Sequence, residues 1–378
     1  MEWYTIIILG VVFLFTLFLS GAPIFLAFLT AILAGVYFII GTFGFPMFIN
    51  SVYDTATTTS LASIPLFILM GELLFRSGTM DVLFESIDKL IGKVKGRQYV
   101  LVVVLSAVFG ALSGVAMAVA AMLGRAIMPG MQNRGYDRKI AAGLIIGGAS
   151  LAPIIPPSLL AIIVGSLADV SIAKLLIAGV IPGLFIGGIF LVYVFVRIGI
   201  DASLAPENLT GERAEVSAGE KVFAIVRTLP FIIVIFSVMG FIMLGIATPS
   251  ESAATGVIGS LLTAAIYRKL SIKMIWSSLM AAITVSSMIL VIMAMSKMFT
   301  QLLAFTGATT ELVNLVANLG YSPTVMLIIM LAVPFVLCMF IDTIAVILLT
   351  IPIYQPVVTA LELDPVWFWL LFLINITL

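Results

Sequence analysis

Residues 147–158, with the sequence GGASLAPIIPPS, could bind a cation through the main chain. They place Pro153, Pro156 and Pro157 inside an otherwise apolar helical stretch. Each proline removes a backbone donor and clashes with the preceding turn, so we expect the helix to unwind halfway. Unwound main chain exposes carbonyl oxygens, which are the ligands that hard cations such as sodium prefer. The alternative is that the prolines and small residues only allow close helix packing.

A second unusual stretch, residues 99–131, is apolar throughout and has small residues near its centre. A membrane-spanning helix needs roughly 20 residues, so this stretch is too long for one span and too short for two. Basic residues lie on both sides of it, which predicts that both ends face the cytoplasm: Lys93, Lys95, Arg97, Arg134, Arg138 and Lys139. We therefore predict a re-entrant helical hairpin over 99–131 with its tip near Ser113-Gly114. Irregular backbone at that depth must be buried in protein or line a wet cavity, so the tip is a candidate site.

Composition sets the class of protein. The 378 residues are 62% hydrophobic and 10% charged, with zero net charge. Long apolar runs that do not alternate predict an all-α integral membrane protein and not a barrel. The charge balance does not suggest a nucleic-acid partner. The absence of histidine excludes histidine-based chemistry, and the single cysteine, Cys338, excludes an internal disulfide.

The second half of the chain repeats the order of the first. A short amphipathic segment at 311–320 precedes another long apolar run at 323–360, which is broken at 338–342 and has no basic residue at either end. With the N-terminus outside, the basic loops at 89–97, 134–139, 197–227 and 268–273 all become cytoplasmic. The second hairpin, 323–360, then opens to the opposite face. Inverted repeats with two re-entrant hairpins are typical of secondary transporters that work by alternating access.

These patterns predict four regions. Residues 1–60 are scaffold helices, and residues 61–200 are the first repeat of a transport core, with the hairpin 99–131 and a broken helix at 140–165. Residues 201–283 are a cytoplasmic loop and further scaffold helices. Residues 284–378 are the second core repeat, with the hairpin 323–360.

Four charged residues lie within or beside the apolar segments. Asp342 falls at the second tip, where a carboxylate is costly and predicts a site or a tip-orienting role. Lys297 either pairs with a carboxylate or extends its charge to the interface. Glu251 follows Thr248 at the spacing of a capping box. Glu72 is expected to tie a helix end, with no partner evident from the sequence.

Several blocks of the sequence resemble one family, and they occur in that family's order along the whole chain. The family is the large membrane (permease) subunit of tripartite ATP-independent periplasmic (TRAP) transporters, the DctM-like proteins. The blocks are IPLFILMGELLFRSG, VFGALSGVAMAVAAMLG, GLIIGGASLAPIIPPSLLAIIVGSLADVSIAKLLIAGVIPG, GIATPSESAATG, FIDTIAVILLTIPIYQPV and LDPVWF.

The resemblance implies a sodium-driven elevator transporter. Such a protein works with a small four-helix membrane subunit and a periplasmic binding protein that delivers an organic acid. The ATP-binding pattern GxxxxGK[ST] does not occur in the sequence, as expected for ion-driven transport. The chain departs from the family at Ala149, Ala152 and Cys338, where glycine is usual. Similar subunits continue past a second Pro-Pro break, so we expect this sequence to be incomplete at its C-terminus.

The resemblance also implies site residues. The first sodium site maps onto Gly110, Ser113, Ala152, Ile155 and Pro157, mainly through backbone carbonyls. Cys338 marks a second sodium site by position, although a buried small hydrophobe fits it equally well. Residues beside these ions are expected to contact the substrate, and packing roles are the alternative for the serines: Ser113, Gly114, Ser150, Ser158 and Asp342.

The predicted function is sodium-coupled import of an organic acid across a bacterial or archaeal cytoplasmic membrane, with a periplasmic N-terminus and no enzymatic activity. Three alternatives stay open at this point. They are a stand-alone sodium/dicarboxylate symporter of similar fold, a channel, and an intramembrane enzyme such as an acyl- or phosphotransferase.

Overall fold

The computed structural model describes residues 3–92, 94–205 and 217–378, and within these ranges the chain forms helices and no strands. Lys93 in the first basic flank and residues 206–216 of the predicted cytoplasmic loop lie outside the described residues. The all-helical prediction is confirmed for the part that the structure describes.

The described residues form eighteen α-helices. The first nine are α1 (Trp3–Leu19), α2 (Ile24–Gly35), α3 (Phe45–Thr57), α4 (Ser63–Arg76), α5 (Thr79–Ile91), α6 (Arg97–Ser113), α7 (Ala116–Ala126), α8 (Met128–Asn133) and α9 (Arg138–Ala149). The remainder are α10 (Leu159–Leu167), α11 (Ile172–Ile200), α12 (Ala218–Met243), α13 (Pro249–Ile266), α14 (Ile272–Phe305), α15 (Ala308–Asn318), α16 (Pro323–Leu337), α17 (Thr343–Ala360) and α18 (Pro365–Thr377).

Helix length and composition agree with a membrane protein. Among the described residues, five helices are long and apolar enough to cross a bilayer. The longest, α11, α12 and α14, have 29, 26 and 34 residues, more than the roughly 20 that a span requires.

The chain divides by packing into two units. The first unit contains Met1–Ala62, Ile162–Leu175 and Thr284–Ile376, and the second contains Ser63–Ala161, Leu176–Ile283 and Thr377–Leu378. The predicted core and scaffold are defined by which helices move together. That division stays a prediction.

In the second unit, α13 packs against α4 and α12. The predicted capping box at its start is confirmed, because the Glu251 amide donates to Thr248 Oγ1 at 3.3 Å and the Thr248 amide donates to Glu251 Oε2 at 2.8 Å. Glu72, whose partner the sequence left open, pairs with Arg76 one turn further along α4.

In the first unit, polar side chains of α14 bind neighbouring helices. Lys297 Nζ lies 2.6 Å from Asp54 Oδ2 of α3, so Lys297 pairs with a carboxylate. Ser296 Oγ donates to the Leu348 carbonyl of α17 at 2.8 Å. That carbonyl lacks its usual helical donor because the residue four positions later is Pro352. The buried serine therefore satisfies a backbone group that the proline leaves unpaired.

Candidate functional site

The first apolar hairpin turns at Gly114. Helix α6 ends at Ser113, and Gly114 adopts a φ of +64° while its amide donates to the Gly110 carbonyl at 2.7 Å. This left-handed conformation favours glycine because it has no Cβ. Val115 is extended, and α7 begins at Ala116. The structure thus places the helix break beside the predicted tip.

The two ends of this hairpin lie against each other. The Tyr99 hydroxyl, near the start of α6, accepts a hydrogen bond from the Asp137 amide at 3.1 Å and donates one to the Leu204 carbonyl at 2.9 Å. The Tyr99 ring also packs on Tyr136, with centroids 4.9 Å apart. The chain therefore enters α6 and leaves α8 at the same end of the second unit.

The proline-rich segment interrupts the next helix. Helix α9 ends at Ala149, turns occupy residues 150–158, and α10 begins at Leu159. Ser158 connects the break to α10, because its hydroxyl accepts from the Ala161 amide at 3.1 Å and donates to the Pro153 carbonyl. The whole segment is buried.

The hairpin tip and the broken helix touch through glycine. A Cβ built on Gly110 would lie 2.8 Å from Ala152 Cα, and one built on Gly114 would lie 2.9 Å from both the Pro157 carbonyl oxygen and the Leu159 amide nitrogen. These separations are shorter than van der Waals contact, so only glycine permits this approach without displacing the opposite backbone. The sequence motifs at 110–114 and 152–159 are therefore brought together within one unit.

Main-chain oxygens are available at this junction. Among the described residues, no hydrogen-bond donor reaches the carbonyls of Ser113, Ala152, Ile155 or Pro157, whereas the Gly110 carbonyl accepts from Gly114. Neutral carbonyl oxygens without a nearby carboxylate cluster suit a hard, singly charged cation. The donor set therefore fits sodium.

The serines assigned to the substrate have local partners. Ser150 Oγ donates to the Gly147 carbonyl at 2.5 Å, and Ser113 Oγ accepts from the Val115 amide at 3.4 Å. Together with Ser158, they shape the ends of the broken helices. Their contact with a substrate stays a prediction.

The two remaining candidate residues belong to the first unit. Cys338 is half-buried at the end of α16, where its amide donates to the Pro334 carbonyl at 2.9 Å. Asp342 is exposed, and its Oδ2 accepts from the Ile344 amide at 3.0 Å, which caps α17. Asp342 therefore orients the helix after the second break, and ion or substrate binding at both residues stays a prediction.

Two residues that position the junction were missed from the sequence. A Cβ on Gly71 of α4 would lie 3.3 Å from Ser113 Cα, so α4 also packs against the tip. Ser106 of α6 packs directly on Gly148 of α9. In both cases the only available signal was a small residue in an apolar helix, and such residues are common at membrane helix contacts.

The chain matches the family described as "Tripartite ATP-independent periplasmic transporter, DctM component" over residues 11–378. The chain belongs to this family. It is accordingly a multi-pass membrane protein and a TRAP transporter large permease subunit, which confirms the resemblance that the sequence motifs indicated.

Individual members of the TRAP family cover most of the chain. The ectoine TRAP transporter large permease protein TeaC of Halomonas elongata is 30% identical over 93% of this chain and 81% of its own length. The C4-dicarboxylate TRAP transporter large permease protein DctM of Pseudomonas aeruginosa is 26% identical over 85% and 74%, respectively. The 2,3-diketo-L-gulonate TRAP transporter large permease protein YiaN of Escherichia coli is 27% identical over 90% and 79%.

A solved transporter structure shares the fold. The crystal structure of the YdaH transporter of Alcanivorax borkumensis aligns with a TM-score of 0.60 over 90% of this chain and 77% of that chain, at 12% sequence identity. The likeness extends to the fold alone. It confirms the all-α fold class that the sequence predicted.

Proposed function

We propose that this TRAP permease subunit couples the inward movement of sodium to the import of an organic acid. The observation that carries the proposal is the junction of the hairpin tip with the broken helix, where four buried carbonyl oxygens accept no hydrogen bond from the part of the chain that the structure describes. Gly110, Ser113, Ala152, Ile155 and Pro157 would hold sodium there, and Cys338 would mark a second ion site.

An anionic substrate is supported by the helix ends at the same junction. Helix α7 begins two residues after Gly114, and the Leu159 amide at the start of α10 lies directly beside Gly114. Helix N-termini carry partial positive charge and free amides, so two of them at one point favour a carboxylate. Ser113, Ser150 and Ser158 would line this position, and Asp342 would belong to the second tip.

The relatives indicate the size of the substrate. Their names specify ectoine, C4-dicarboxylate and 2,3-diketo-L-gulonate, which are all small organic molecules. We propose a small carboxylate delivered by a periplasmic binding protein, with a small four-helix membrane subunit completing the complex. The carbonyl oxygens at the junction do not distinguish one carboxylate substrate from another.

We further propose an elevator mechanism. Residues 61–200 and 284–378 would move as the transport core, and the remaining helices would form the scaffold. The N-terminus would face the periplasm, because that orientation places the basic loops in the cytoplasm. The contact between Tyr99 and Asp137 supports a hairpin that enters and leaves from one face.

Reconstitution into proteoliposomes tests the function. The full chain would be combined with the small subunit and the loaded binding protein, and uptake of labelled carboxylate would be followed with an inward sodium gradient. We expect uptake that stops when potassium replaces sodium. Equal uptake in the two salts would refute sodium coupling. Uptake by the chain alone, without the two partner proteins, would identify a stand-alone symporter instead.

A further inference from the structure

A groove in the second unit has an amphipathic lining that the transport proposal does not use. It has a volume of about 590 Å³ and lies between the start of α9 and the end of α11. Lys139, Arg197 and Asp137 line one end, and Ile140, Leu144 and Phe190 line its body. The groove therefore has an apolar body and an end with a net positive charge, the cationic end.

The lining changes in a regular order along both helices. On α11, Phe190, Tyr193 and Arg197 share one face at helical spacing, so the lining passes from apolar to aromatic-polar to cationic over about 10 Å. Helix α9 runs the opposite way, from Lys139 to Gly143, and places its cation at the same end. Aromatic and basic side chains in this order are typical of the membrane–water interface.

The cationic end has unused binding capacity. The Arg197 Nε atom is buried and has no hydrogen-bond partner, and neither Arg197 nor Lys139 forms an ion pair among the described residues. Two carboxylates accompany these cations: Asp137, which lines the same end of the groove, and Asp201, whose charge interacts with that of Arg197. Asp137 accepts from the Ile140 amide at 2.9 Å, and Asp201 accepts from the Ser203 hydroxyl and amide. The bonds from Ser203 and, to a smaller extent, the charge of Arg197 lower the pKa of the Asp201 carboxyl.

The apolar end has open space for a chain-like ligand. A Cβ built on Gly143 would meet no heavy atom within 4 Å, although this glycine lines the groove. Ile189 and Tyr193 are exposed beside it. In a membrane protein, such a surface is covered by lipid acyl chains or by another protein.

We propose that this groove binds an anionic phospholipid, with the phosphate between Lys139 and Arg197 and one acyl chain along Gly143, Leu144 and Phe190. The charge order favours a lipid over a partner helix, because a single ligand must present an anion at one end and hydrocarbon about 10 Å away. The basic end is also the end predicted to be cytoplasmic, where basic grooves between membrane helices bind anionic headgroups. The proposal is independent of sodium coupling.

Native mass spectrometry of the purified full chain in detergent tests the headgroup contact. The protein would be titrated with phosphatidylglycerol or phosphatidylcholine, and the dissociation constant of the first bound lipid would be measured. We expect phosphatidylglycerol to bind more tightly. The double variant Lys139→Gln/Arg197→Gln should weaken it about 30-fold, since each cation near the surface contributes about fivefold.

The neighbouring basic residue Arg138 supplies the matched control. Arg138 is exposed on the same helix and does not line the groove, so Arg138→Gln should cause a much smaller loss. Equal losses in the double variant and in Arg138→Gln would overturn the site. Equal binding of phosphatidylcholine would overturn the requirement for an anionic lipid.

A glycine pair tests the acyl-chain contact and does not depend on charge. Gly143→Leu should fill the groove and weaken phosphatidylglycerol binding. Gly188→Leu on α11 serves as control, because a Cβ there also meets no atom within 4 Å and Gly188 does not line the groove. Equal binding by the two variants would contradict the acyl-chain contact. Full displacement of phosphatidylglycerol by inorganic phosphate at similar concentrations would show an anion pocket and overturn the lipid proposal.

Discussion

Gly110→Ala is the most direct perturbation of the proposed sodium site. The new methyl group would be placed 2.8 Å from Ala152 Cα and 3.2 Å from the Ala152 amide nitrogen. Carbon atoms pack at about 3.5–4.0 Å, so the broken helix must move away from the hairpin by about 0.7 Å or more. The Ala152 carbonyl, a proposed ligand, moves with it.

The size of the effect follows from the strain. Forcing an additional methyl group into a packed site costs about 1–3 kcal/mol. If the sodium-bound state requires the observed spacing between Gly110 and Ala152, the free energy of sodium binding must offset that strain. We therefore expect the sodium concentration for half-maximal uptake to rise about 5- to 150-fold. The better helix propensity of alanine, worth about 1 kcal/mol, stabilises α6 itself and offsets part of any loss in folding stability.

Gly124→Ala is the matched control within the same hairpin. A Cβ on Gly124 of α7 would meet no heavy atom within 4 Å. We expect unchanged sodium dependence and an equal or higher midpoint of thermal unfolding, because alanine favours the helix. Uptake would be measured in proteoliposomes over a series of sodium concentrations, with thermal unfolding recorded on the same preparations.

The two variants separate site distortion from misfolding. A folded Gly110→Ala protein with the same sodium concentration for half-maximal uptake as Gly124→Ala would refute the reasoning. Sodium binding would then not depend on the spacing between the hairpin tip and the broken helix. A higher sodium concentration for half-maximal uptake, at an unchanged midpoint of thermal unfolding, would support it.

Three further substitutions test individual contacts. Ser296→Ala should lower the free energy of unfolding by about 1–3 kcal/mol, because the buried Leu348 carbonyl loses its donor. The control Ser287→Ala, at an exposed position, should change it by no more than about 0.5 kcal/mol. Equal midpoints of thermal unfolding for the two variants would contradict this role of Ser296. Tyr99→Phe removes the hydrogen bonds of the Tyr99 hydroxyl to Asp137 and Leu204 and should speed amide exchange at the base of the hairpin. Unchanged exchange would show that ring packing alone holds the base. Thr248→Ala should cost about 1 kcal/mol through loss of the α13 cap, and a midpoint of unfolding equal to that of the unmodified protein would show that packing alone holds this end.

The breaks in the helices could be predicted because their causes are local. Prolines at 153, 156 and 157 remove donors wherever the segment lies, and the structure shows turns over 150–158. The spacing of Thr248 and Glu251 similarly predicts a cap from the chemistry of one helical turn. The family resemblance depended on these same local motifs.

The contacts between these motifs could not be derived from local pattern. Gly110 packs against Ala152, and Lys297 forms an ion pair with Asp54, which lies 243 positions away in the sequence. Membrane helices are apolar on every side, so the sequence does not single out the face that packs or the partner that it meets.

The sequence by itself determined where the chain is helical, where it is broken and which family it belongs to, because proline, glycine and capping residues act within one or two turns. The family resemblance implied a site shared by the hairpin tip and the broken helix, and only the tertiary structure decided that glycine lets the two backbones touch there. It also decided that Lys139 and Arg197 share one groove. The physical reason is that contacts between distant segments depend on the packing of whole helices, which small differences in side-chain shape control.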